Sequence, residues 1–216
     1  MPAIRLASPA ACRAASLAAS LARVLVALAA PVACSAPGAF AGERIDMAAR
    51  LTSALDAVEA QVVRPLAADP EVIAAVAAAN ADRLPLDQPE IERLDRQWRA
   101  EIGRQDRATI AAMLAAPLSA RLRDRVKADP RIAEILVTDN RGLNVALSAA
   151  TSDFWQGDEP KFLVPFAAGP DGILRGAVEY DESSHRFVVQ ISATVADPAT
   201  AAPVGTITVS VDAAAL

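Results

Sequence analysis

Ile132-Ala133-Glu134-Ile135-Leu136-Val137-Thr138-Asp139-Asn140-Arg141-Gly142-Leu143-Asn144-Val145-Ala146-Leu147 is the stretch in which the chain changes rhythm. Before Asp129-Pro130 apolar residues recur every three or four positions; from Ile132 the period falls to two and β-branched residues become common. Residues 132–138 read as a strand and Asp139-Asn140-Arg141-Gly142 as a turn. Leu143, Val145 and Leu147, alternating with Asn144 and Ala146, read as the returning strand of a hairpin.

The same alternation continues toward the C-terminus. Leu174, Gly176, Val178 and Tyr180 alternate with Arg175, Ala177 and Glu179, and Phe187, Val189, Ile191, Ala193 and Val195 alternate with Arg186, Val188, Gln190, Ser192 and Thr194. The turn Asp181-Glu182-Ser183-Ser184 joins those two strands. A loop over 197–203 leads to a last strand carrying Val204, Ile207, Val209 and Val211. Consecutive hairpins imply a five-stranded antiparallel sheet.

Toward the N-terminus the pattern is helical. Leu51, Leu55, Val58, Val62 and Leu66 mark one face of an amphipathic helix starting at Met47. Asp69-Pro70 punctuates it, a short helix follows over 71–79, and 80–88 reads as a loop. Pro89 opens a helix with Ile91, Leu94, Trp98 and Ile102 on one face. A third stripe, Ile110, Met113, Leu114, Leu118, Leu122 and Val126, is bent or divided by Pro117. The fold class is therefore α+β, with N-terminal helices over 42–130 packed on a sheet subdomain over 131–216.

A chain of 216 residues with 53% hydrophobic side chains can fill a core, which excludes a disordered protein. Residues 148–172, between the second and third strands, are too many for a hairpin loop. They hold Phe154, Trp155, Phe162 and Phe166, half of the eight aromatics, and loops of that kind commonly carry function.

Arg5, Arg13 and Arg23 precede an apolar run over 24–33, no acid occurs before Glu43, and Ala39-Phe40-Ala41 offers small residues for cleavage. The expectation is a signal peptide over 1–41 and a periplasmic or secreted domain. The alternatives are lipidation at Cys34, where Pro31 takes a position usually held by Leu, and retention of the segment as a membrane anchor. Cys12 and Cys34 both precede Gly42, so the domain beyond the leader has neither disulfide nor thiol chemistry. Without the leader 18 basic residues face 26 acidic ones, a net charge of −8 that makes nucleic acid a poor partner.

The stretches Ile135-Leu136-Val137-Thr138-Asp139-Asn140-Arg141-Gly142, Thr151-Ser152-Asp153-Phe154-Trp155-Gln156-Gly157-Asp158-Glu159, Tyr180-Asp181-Glu182-Ser183 and Val204-Gly205-Thr206-Ile207-Thr208-Val209 resemble the Cache family of PAS-like extracellular sensor domains. The resemblance implies a helical N-terminal region, a five-stranded PAS-like sheet, and a small-molecule ligand held by the insertion. Amino-acid-binding members present an Arg and a Trp followed by an aromatic. Here Gln156-Gly157 follows Trp155, and Lys161 is the nearby cation.

Seven residues are candidates for ligand contact. Trp155 offers an indole face and one N–H donor, against the reading that it plugs the open end of the sheet. Asp153 and Asp158 suit hydroxyls or an amine, although acids near 158–159 also suit a helix N-terminus. Tyr180 and Asp181 would face them from the opposite wall, or simply begin a turn. Lys161 is the cation of the insertion. Gln190, with Ser192 and Thr194, lines either a polar pocket or a solvated face. Trp98 lies on an apolar stripe and reads as core, and Asp139 to Asn144 reads as a tight turn rather than a calcium loop. His185 is the only histidine and no G-x-S-x-G occurs, so the sequence implies no enzyme, metal or cofactor.

The sequence thus predicts reversible binding of a small polar or cationic ligand in a cavity lined by Trp155, Asp158 and Tyr180. No kinase, cyclase or methyl-accepting region is read before Leu216, so a separate membrane-bound receptor or kinase is the expected partner. The rival reading is a structural protein of the envelope that forms a homodimer through its first helix; a hydrolase is the remote third.

Overall fold

The computed structural model describes residues 37–181 and 184–216, with side chains described from Met47 onward. The expected leader falls almost wholly outside the described residues. Residues Phe40–Leu216 form one body.

Helix α1 (Pro37–Val58) runs without a break through a wide π-helical turn (Glu59–Val63) into α2 (Arg64–Ala67). Its apolar face buries Leu55, Val58, Val62 and Val63. Asp69 ends the run and caps α3 (Pro70–Asp82), its side chain accepting from the Glu71 and Val72 amides at 2.8 and 3.4 Å. Helix α3 outlasts the expected 71–79 by three residues because alanines carry it on to Asp82.

Asp87 caps α4 (Gln88–Glu101), which buries Ile91 and Trp98. Ile102 is not on that face: it is the extended C-cap residue and 44% exposed, since the helix ends before its turn comes round. Pro117 does divide the third stripe, into α5 (Ala108–Ala115) and α6 (Pro117–Ala128), with Ala116 extended between them.

Strands β1 (Ile132–Asp139), β2 (Asn144–Leu147), β3 (Ile173–Asp181), β4 (Arg186–Ala196) and β5 (Pro203–Asp212) form one antiparallel sheet in the order β2-β1-β5-β4-β3. The last strand closes the sheet by pairing with the first, Val137 opposite Ile207. Helix α7 (Pro160–Ala167) lies in the connection from β2 to β3 and packs on β3, β4 and β5.

The alternation read in the strands sorts their two faces. Ile135, Val137, Ile191, Ala193, Val195, Ile207 and Val209 bury against the α1–α3 and α6 residues Val58, Val62, Val72, Val76 and Leu122. A smaller core joins Leu136, Leu143 and Leu147 at the β1–β2 edge to Ile91, Trp98, Ile110 and Phe154. At the other edge β3 is largely exposed on both faces. It is tied to the long helix by Arg175, whose guanidinium meets Asp56 at 2.6 Å and the buried Glu59 of the π-turn at 2.5 Å.

Candidate ligand site

On the sheet face opposite the large core the side chains are polar. Register places Thr138, Thr206 and Thr194 in one row, Leu136, Thr208 and Ser192 in the next, and Glu134, Ser210 and Gln190 in a third. The five Ser and Thr residues of the first two rows, and Ser210 of the third, are all buried. A buried hydroxyl costs free energy unless bonded. Thr138 and Thr206 accordingly bond each other at 2.7 Å, as do Ser192 and Thr208 at 2.9 Å, and Thr194 donates to the Pro165 carbonyl of α7 at 2.6 Å. A cleft of about 340 Å³, lined by Arg64, Ile73, Asp171 and Pro198 among others, meets this face at Thr194.

The third row is not closed in the same way. Glu134 Oε1 is wholly buried and has no hydrogen-bond partner among the described residues. Burial pushes the Glu134 carboxyl up to about 7, the Asp181 carboxylate adds to the rise, and the Lys161 ammonium opposes it. Lys161 is itself paired with Glu159 at 3.0 Å. Asp181, the last residue of β3, accepts from the Ser184 amide and hydroxyl at 2.9 and 2.5 Å.

Two of the seven candidates, Lys161 and Asp181, therefore act through their charge on an acid that the sequence reading missed, and Gln190 shares its row two strands away. Its signal was there: Glu134 is the one charged residue in the run Ile132 to Val137, and its strand parity matches Thr138 rather than Ile135. Ser210 was missed for the lack of any anomaly, since a lone Ser between two valines fits any sheet.

The other candidates lie elsewhere. Trp155 forms an isolated bridge with Leu143, next to β2, while Tyr180 sits on β3 at the far edge of the sheet, four strands or about 19 Å away. The expected cavity lined by Trp155, Asp158 and Tyr180 is thus corrected: the insertion crosses the sheet, so its start and the end of β3 occupy opposite edges. Asp158 is exposed. Tyr180 and Asp181, expected on one wall, project to opposite faces, as strand neighbours must. Tyr180 pairs edge-on with Phe187, centroids 5.4 Å apart, and both rings are about half exposed.

Trp155 and Asp153 belong to a polar knot in which Asn144 Oδ1 and Gln156 Oε1 are left without a partner among the described residues. Asp95, buried on α4, accepts from the Phe154 and Trp155 amides at 2.8 and 3.1 Å and from Arg99 at 2.7 Å. The Trp155 indole donates to the Arg141 carbonyl at 2.9 Å, leaving its only N–H engaged. Asp153 meets Arg99 at 3.4 Å and Gln156 at 2.5 Å. Gly157 allows this closeness, because a Cβ there would collide with the Trp155 indole nitrogen and the Arg141 carbonyl. Asp139, fully buried in the hairpin turn, accepts from Arg83 at 2.8 Å and from the Arg141 and Leu143 amides at 2.9 Å each. Trp98 is core as read: fully buried, stacked on Phe154 at 5.6 Å, its N–H given to the Thr151 carbonyl.

Helices on a five-stranded antiparallel sheet of this order, with a helix-bearing connection from β2 to β3, define the Cache-type sensor fold. Among solved structures the chain is similar to the sensor domain of the histidine kinase DctB from V. cholerae: 16% identity, TM-score 0.50, covering 82% of this chain and 58% of that one. The sensory domain of the Campylobacter jejuni chemoreceptor Tlp3 with isoleucine bound is a more distant likeness, at 10% identity and TM-score 0.35, covering 66% of this chain and 57% of that one. The chain therefore spans less than two thirds of the length of either. No family model matches the sequence, and no curated protein does.

Proposed function

We propose that this protein is a non-enzymatic sensing module of the cell envelope, periplasmic or secreted, that reversibly binds a small polar or cationic molecule and signals through a separate membrane-bound receptor or kinase. The fold supports the sensing class. Among the described residues no helix is long and apolar enough to cross a membrane.

The observation that carries the reading is the unpartnered Glu134 oxygen inside a polar sheet face. Native interiors satisfy almost every buried polar atom, and although Asn144 Oδ1 and Gln156 Oε1 are also left without a partner among the described residues, only Glu134 Oε1 belongs to an acid. Ser210 is opposite it on β5 and Gln190 follows in the same row on β4, with Asp181 and Lys161 supplying charge from β3 and α7.

A thermal-shift screen of the purified protein against amines, amino acids, organic acids and nucleobases tests this, because binding to the folded state raises the melting temperature. The expected result is a selective hit that Glu134→Ala abolishes while leaving the ligand-free protein folded. No shift with any compound would leave the rival reading, an envelope interaction protein. Its support is the exposed apolar side chains Met47, Val178, Tyr180 and Phe187. The same preparation, run in analytical ultracentrifugation, tests the homodimer expected through α1.

A further inference from the structure

The chemistry around Glu134 narrows the ligand class, on the reading that this face is the binding site. A buried carboxylic acid has two states, and neither is satisfied here. As a carboxylate, Glu134 would hold a buried charge whose Oε1 receives no hydrogen bond; as a neutral acid, it keeps a lone pair with no donor. Its cross-strand neighbour Ser210 is neutral, as is Gln190 one strand further along the row. The charged groups that face it are Asp181 from β3 and Lys161 from α7, and Lys161 is drawn to Glu159. A second acid thus adds its field to the first, while Lys161, the one cation that acts on it among the described residues, is already paired. That balance rejects an anion and welcomes a positive charge.

We propose that the group docking at Glu134 is an ammonium, and that it enters in exchange for the proton the carboxyl carries. The exchange balances: the ligand arrives as R–NH3+, the Glu134 carboxyl becomes a carboxylate and accepts an N–H hydrogen bond, and one proton leaves to solvent. No electron moves and no covalent bond of the ligand changes. Binding is then linked to pH, because below neutrality the ligand competes with the proton for one oxygen. The ordinary glutamate range would give no such competition in mildly acidic to neutral solution; burial of Glu134, with Asp181 beside it, moves the competition there.

The test is a carbon-13 NMR titration of the Glu134 carboxyl in the full chain labelled at glutamate, the resonance assigned by its loss in Glu134→Gln. Ethylammonium and 1,4-butanediammonium chlorides are the probes, with sodium chloride of equal ionic strength as the control. The expected titration midpoint lies near neutrality without the probes and falls by a unit or more with at least one of them. The affinity of that probe then rises about tenfold per pH unit up to the ligand-free midpoint and flattens above it. Asp181→Asn, which leaves the carboxyl in place, lowers the ligand-free midpoint and weakens ammonium binding together.

A midpoint in the ordinary glutamate range, or one near neutrality that no ammonium moves, overturns the exchange. If the thermal-shift screen has meanwhile found a neutral or anionic ligand sensitive to Glu134→Ala, the sensing function stands and only the ammonium assignment falls. If it has found nothing, both fall.

Discussion

The two ends of strand β1 use buried acids in opposite ways. At the β1–β2 edge Asp95 and Asp139 each accept three or more hydrogen bonds, from arginines and from backbone amides of the turn and insertion. Toward the start of the same strand, Glu134 buries an oxygen that receives none. Both arrangements put carboxylates on the same strand or against it, yet one set is bonded by arginines and amides and the other keeps an oxygen without a partner among the described residues. The contrast shows that an aspartate in an aromatic-rich insertion is no guide to a site until its partners are counted.

Breaking the bonded end should cost most. Asp139→Ala leaves Arg83 and two amides without their acceptor, and the expected loss is about 3–5 kcal/mol, read from urea unfolding midpoints. If the loss is below about 1 kcal/mol, the hairpin turn does not depend on that acid and the contrast fails.

The Glu134 end should instead respond to pH. The folded pKa of Glu134, about 7, lies above the ordinary 4.5, so the native state holds the extra proton between those values. Its contribution is fully present below about pH 4.5 and is lost as pH rises through 7, an effect of up to roughly 3 kcal/mol. Glu134→Gln should therefore match the parent near pH 5 and exceed it at pH 8 in chemical denaturation. Parallel pH profiles for the two would contradict the burial argument.

A smaller effect is expected at Gly157. An alanine there must push the Trp155 indole off the Arg141 carbonyl, at about 2 kcal/mol, with a shifted tryptophan emission as the signature. Smallest of all is Phe187→Ser, at the exposed start of β4: a change within about 0.5 kcal/mol in the monomer. A larger change that grows with protein concentration would reveal that this face is covered by a second copy.

The strands were legible because alternation is a local property, and so were the division at Pro117 and the burial of Trp98. The position of Ile102 was not, since a stripe does not say where its helix stops. The site was half legible. Gln190, Ser192 and Thr194 were seen to share a face, but whether α7 or water covered it depends on the path of the connection over the sheet, which no spacing records. The same path separates Trp155 from Tyr180. Glu134 was legible in principle, as an acid in an apolar strand, and the attention given to the insertion hid it.

Strand β3 carries Asp181 at one end and Arg175 six residues away, about 20 Å along an extended chain. Asp181 lends its field to Glu134, whereas Arg175 grips Asp56 and Glu59 of the helix that runs toward the N-terminus. One stiff rod thus has the candidate site at its tip and the long helix at its heel, with a β-bulge between Arg175 and Val178 as the elbow.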